Sequence, residues 1–156
     1  MPQGRPGTAA AAGVVGLAAV LVAGCSSDVA VQAPAVSGAA EKACSALVEQ
    51  APESVAGVER RDVTTEGSAL AWGDPPIVLS CGVPATAATD VAIRCDTVNG
   101  VDWFTEEADN GYRFTTIGRE PAVRLDVPYS YEPAGDALVD VATAVRGSTT
   151  AQSPCT

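Results

Sequence analysis

The clearest chemistry in this chain belongs to Leu21-Val22-Ala23-Gly24-Cys25, where an aliphatic residue and two small residues place a thiol directly behind an apolar run. Small side chains before the cysteine suit a narrow peptidase cleft, and the thiol is the group that takes a diacylglyceryl chain. Arg5 gives the segment a sparse positive start, and Thr8 to Val22 is an almost uncharged Ala/Val/Leu/Gly stretch. Such a run at the extreme N-terminus is short for a membrane span and reads as a removable signal. Residues 1–24 are therefore expected to be removed. Cys25 would then carry the lipid and hold the protein on the extracytoplasmic face of the cell membrane.

Other reactive constellations are weaker. Serine and cysteine hydrolases need a base beside the nucleophile, usually histidine, and the chain has no histidine. There is no Gly-x-Ser-x-Gly segment, and Lys42, the only lysine, has no Ser-x-x-Lys motif around it. Glu106, Glu107 and Asp109 form the one tight acidic cluster, expected to be a solvated loop. Asp109-Asn110-Gly111 resembles part of a calcium loop, but aligning Gly111 with the sixth position puts Ala108 and Ile117 where oxygen ligands are required. No glycine loop of the phosphate-cradling kind occurs. No cofactor is expected.

Cysteine usage agrees with export. Beyond Cys25 there remain Cys44, Cys81, Cys95 and Cys155, an even set that reads as two disulfides in an oxidising compartment. Sequence alone does not choose among the three pairings. The expectation is Cys44 with Cys81, stapling a helix to a strand, and Cys95 with Cys155, tying down a tail. Zinc is disfavoured by the lack of histidine and of any C-x-x-C spacing. Removing residues 1–24 would leave 132 residues, one domain's worth, with 19 acidic against 8 basic side chains and a net charge of −11. That surface repels nucleic acid and anionic headgroups.

Trp72 and Trp103 each lie near an aspartate, Asp74 and Asp102, with Arg119 later in the chain. An indole face beside a carboxylate can hold sugars or cations, so these five residues are the candidate recognition surface. With so few aromatic residues, core packing is the favoured role for both indoles.

The elements that must position these groups follow from pattern. Ser26 to Gly38 mixes Ser, Gly, Pro and small apolar residues, so residues 25–38 are expected to form a flexible tether and 39–156 a single domain. Helical spacing of Ala43, Cys44, Leu47 and Val48 predicts a helix over Ala39 to Gln50, ended by Pro52. Strands are predicted within Val55 to Val63, over Ala69 to Trp72, and over Ile77 to Cys81 with a stop at Gly82 and Pro84. Val91 to Val98 and Val101 to Thr105 flank Asn99-Gly100, a strong hairpin signal. A polar loop over Glu106 to Gly111 leads to Tyr112 to Ile117, and a turn at Gly118 to Pro121 to Ala122 to Val127, completing a meander. Leu138, Val141, Ala142 and Val145 predict a second helix over Asp136 to Val145, closed by Gly147. The fold class is α+β, a mostly antiparallel sheet with an N-terminal and a C-terminal helix packed on it.

Four segments carry a family resemblance: Ala71-Trp72-Gly73-Asp74-Pro75-Pro76-Ile77-Val78-Leu79, Cys81-Gly82-Val83-Pro84, Val98-Asn99-Gly100-Val101-Asp102-Trp103-Phe104 and Phe114-Thr115-Thr116-Ile117-Gly118-Arg119. With these the chain resembles the actinobacterial envelope family known as domain of unknown function 3515, over Glu41 to Val145. The resemblance implies a secreted or lipid-anchored envelope protein and brings no catalytic residues. The expected function is a non-enzymatic binding or structural module for an envelope protein or glycan. The alternative is a carboxylate-dependent hydrolase of glycan or peptidoglycan.

Overall fold

The computed structural model describes residues 1, 4, 27–86 and 95–155. Cys25 and the first half of the strand expected over Val91 to Val98 lie outside the described residues. The elements run β1 (Val29–Ala30), α1 (Ala39–Gln50), β2 (Ser54–Val55), β3 (Val58–Arg61), β4 (Val63–Thr64), β5 (Ala69–Trp72), β6 (Ile77–Val83), β7 (Cys95–Val98), β8 (Val101–Ala108), β9 (Gly111–Thr116), β10 (Arg119–Glu120), β11 (Ala122–Pro128), a 3-10 turn (Tyr129–Tyr131), α2 (Gly135–Ser148) and β12 (Thr150–Ala151).

Eight strands form one antiparallel sheet in the order β2-β3-β5-β6-β11-β9-β8-β7, with α1 and α2 packed on it: an α+β domain. The strands are two meanders rather than one. The chain finishes β2 to β6, crosses to the far edge, returns through β7, β8 and β9, and lays β11 against β6. Pattern reports which residues form a strand, but not which distant strand becomes its neighbour.

Alternation explains the core. Register puts Leu70, Leu79 and Leu125 on the same face as Phe114, and Trp72 opposite Ile77. These pack against Cys44 and Leu47 of α1 and Leu138, Val141, Ala142 and Val145 of α2. Both indoles are fully buried. Trp72 also donates its Nε1 hydrogen to the Pro52 carbonyl at 3.0 Å.

Both disulfides form as expected. Cys44–Cys81 joins α1 to β6 with Cα atoms 5.6 Å apart, and Cys95–Cys155 joins β7 to the C-terminal tail with Cα atoms 6.5 Å apart. Asn99 and Gly100 both take positive φ, 48° and 77°, the geometry of a two-residue hairpin turn.

Several boundaries differ from the sequence reading. β6 does not stop at Gly82: the glycine adopts φ 77° and is the extra residue of a bulge, since Val83 faces Ala122 while Cys81 faces Val123. Glu106 and Glu107 are strand residues rather than loop, because β8 runs to Ala108 and turns tightly through Asp109 and Asn110 into β9. α2 runs through Gly147 to Ser148, so the glycine lies in the last turn rather than ending the helix, and a Cβ there would meet only the movable end of the Gln50 side chain.

The segment expected as a tether also lies on the domain. Val29 and Ala30 pair in parallel with Val63 and Thr64, Arg61 Nη2 donates to the Ser27 carbonyl at 2.7 Å, and Val36 packs on the core. Backbone pairing and apolar side chains outweigh the Ser/Gly/Pro composition here. Among the described residues, no helix is long and apolar enough to cross a membrane.

Filling these volumes makes the indoles structural. Trp72→Ala and Trp103→Ala should each lower unfolding free energy by roughly 3 to 5 kcal/mol, through lost burial and a residual cavity. Denaturant titration checks this; two variants with wild-type midpoints would contradict the core assignment.

Candidate functional site

The five residues singled out from sequence do not make one surface. Trp72 and Trp103 are inside the domain and offer no face to a ligand. Asp74, at the corner after β5, has a side chain 89% exposed and lies 3.8 Å from Arg61. Asp102 and Arg119 do come together, but in holding the chain. Asp102 accepts from Thr97 Oγ1 at 2.6 Å and from the Cys155 backbone N–H at 2.9 Å. Arg119 donates to the Gly100 carbonyl at 3.0 Å and to Thr149 Oγ1 at 3.2 Å. Burial lowers the Arg119 pKa, opposed by the negative charge of Asp102, with Arg146 lowering it further. Together they clamp the β7–β8 hairpin, the end of α2 and the tail. The Asp102 carboxylate and the sulfurs of Cys95 and Cys155 lie within 4.8 Å of one another, but the two sulfurs are bonded to each other, so no thiolate is left for a metal.

A concavity among the described residues lies elsewhere. α2 packs on β7 and β8, where Val101 and Trp103 are buried, and beside it on the same face of β7, β8 and β9 opens a groove of about 850 Å³. Val98, Phe114 and Leu138 give it an apolar lining, with Asp96, Tyr112 and Glu132 among its polar groups. The strand period puts these side chains there: Asp96 and Val98 share a face, and register places Thr105 opposite Phe114 and Glu107 opposite Tyr112. The far wall begins at Glu132 and Pro133, just before α2.

The polar rim is organised and acidic. Thr105 Oγ1 donates to Asp96 Oδ2 at 2.9 Å, and the Tyr112 hydroxyl donates to Glu132 Oε1 at 3.4 Å. Tyr112 also packs edge-on to Tyr129, with ring centroids 5.1 Å apart. Its phenol pKa is raised, first by the charge of Glu132, with smaller effects of partial burial, Tyr129 and Glu107. Among the described residues, no arginine or lysine lines the groove. On the opposite face of the sheet, by contrast, Asp126 lies between Arg113 at 2.8 Å and Arg124 at 3.1 Å.

Sequence reasoning missed Asp96, Val98, Tyr112, Phe114, Glu132 and Leu138 as a group. Each sits within an element or turn that pattern identifies, yet the groove exists only where the start of α2 meets these strands.

The fold and groove define a disulfide-stapled α+β domain with an open, acid-rimmed apolar cleft. The chain matches the family described as "Protein of unknown function (DUF3515)" over residues 7–154, and it belongs to that family. No curated protein and no solved structure matches it.

The electrostatic origin of the Tyr112 shift is testable. Glu132→Gln removes the negative charge that opposes phenolate formation, so the Tyr112 titration should move to lower pH. Site-resolved NMR of the tyrosine ring carbons follows it; an unchanged midpoint would contradict the assignment.

Proposed function

We propose that the protein is a lipid-anchored binding module of the cell envelope, held at the outer side of the cytoplasmic membrane through Cys25, with the groove over β7–β9 as its working surface. The observation that carries the reading is the groove: apolar side chains at its lining, acids at its rim, and no histidine in the chain to activate a serine or cysteine. Support for export comes from two disulfides, which persist in oxidising compartments, and from the thiol placed behind the apolar run. The actinobacterial envelope remains the setting that the family resemblance suggests.

Position favours recognition away from the membrane. Ser27, held by Arg61, is two residues beyond Cys25, at most about 7 Å of chain. The groove opens at β7, six strand spacings from β3, or about 29 Å across the sheet. Lipid at Cys25 would hold the β3–β4 end near the bilayer and leave β7 at the far edge of the sheet.

The hydrolase alternative has its best pair of acids in the same groove, Asp96 and Glu132. One experiment separates the readings. Cys25→Ser should abolish diacylglyceryl addition and leave an unlipidated precursor, read by intact mass. On intact envelope, wild-type protein should cross-link to a partner that Val98→Lys loses while keeping both disulfides and a native circular-dichroism spectrum. Wild-type protein without lipid would overturn the anchor, and reducing ends released from peptidoglycan, lost in Asp96→Asn, would establish the hydrolase instead.

A further inference from the structure

The strand that borders the groove is an edge. Among the described residues β7 pairs only with β8, at the end of the sheet order. In a two-residue hairpin the residues flanking the turn exchange backbone hydrogen bonds, which makes Val98 and Val101 the bonded pair. Alternation then bonds Asp96 to Trp103 and turns the N–H and C=O of Cys95 and Thr97 outward. Asp96 and Thr97 are exposed and Val98 is half-buried.

We propose that this edge and the adjoining groove receive an extended, basic segment of a partner protein, which adds a strand beside β7 and seats a large apolar side chain against Val98, Phe114 and Leu138. The inference rests on the groove being the working surface and names what it takes. Backbone pairing would supply affinity without regard to sequence, while pockets on one face supply specificity. Residues of the added strand opposite Asp96 and Val98 point to the groove side and are two positions apart. Recognition would therefore read a basic residue and an apolar residue separated by one.

Charge decides the sign of the partner. Asp96, Glu132 and Glu107 surround the apolar lining, no basic side chain among the described residues lines the groove, and the raised phenol pKa of Tyr112 reports the same negative field. An acidic segment would bring like charges together, and an anionic lipid surface is disfavoured both by charge and by the distance of β7 from the anchored end.

The test uses the full exported chain with both disulfides formed. Its probe is the acetylated, amidated heptapeptide Thr-Lys-Thr-Phe-Thr-Lys-Thr, whose lysines flank the phenylalanine in either strand direction. Amide NMR titration should show binding with shifts confined to β7, Phe114 and Leu138. Replacing both lysines by glutamate, or N-methylating the threonines beside phenylalanine, should weaken it on the order of tenfold or more. Asp96→Asn should weaken the lysine peptide and spare the glutamate one. Equal binding of both peptides, indifference to N-methylation, or no shift at β7 would each overturn the proposal. A concentration-dependent dimer that Val98→Lys abolishes would overturn it in favour of self-pairing. If the peptides fail while Val98→Lys still loses its envelope partner, the groove reading survives with a different ligand; if both fail, the groove reading falls too.

Discussion

The pairing of β6 with β11 is the constraint on which the rest of the molecule depends. Val78 to Cys81 meets Val123 to Asp126 in register, with a bulge at Gly82, and this seam joins two meanders that would otherwise be separate four-stranded units. The contact is non-local, so loop closure must be paid before it yields anything. The Cys44–Cys81 disulfide lies outside that loop and instead fixes α1 to β6 across 37 residues, for which chain-entropy reasoning assigns about 4 kcal/mol. Leu79 and Leu125 face each other at the seam, beneath the helices, so strand pairing and core burial support each other.

The second half of the domain is secured differently. Cys95–Cys155 pins the tail to β7, Asp102 holds the Cys155 amide, and Arg119 ties Thr149 to the hairpin turn at Gly100. These contacts gather at one end of β7–β8, while α2 crosses toward the other half, where Asp140 accepts from the Ala56 amide at 2.8 Å. α2 also packs on β7, β8 and β11, and the groove lies beside its first turn, with the tail clamp stabilising the strands that form its floor.

Local physics made much of this legible. The buried face of α2 includes the set Leu138, Val141, Ala142 and Val145 that helical spacing picks out, and the disulfides follow the expected pairing, one helix-to-strand staple and one for the tail. Asn99-Gly100 needs left-handed backbone at both positions and so announces its hairpin. What failed was non-local or a matter of balance. Glu106 and Glu107 look like loop because they are charged, yet β9 supplies backbone partners and one side of the strand is solvated. By contrast, the core role that the sequence favours for Trp72 and Trp103 is the one the structure shows, because a core this poor in aromatics consumes both. The groove residues are ordinary strand and helix positions, and only the placement of α2 makes them a site.

Native-state hydrogen exchange on the disulfide-intact protein tests the central claim most directly, that the β6–β11 seam carries global stability while β7 is left open at the edge. The account predicts that the amides of Arg124 and Leu125 exchange only through global unfolding and that those of Cys95 and Thr97 exchange far faster in the same sample. A Thr97 amide as slow as that of Leu125 would show the edge already covered and contradict the account.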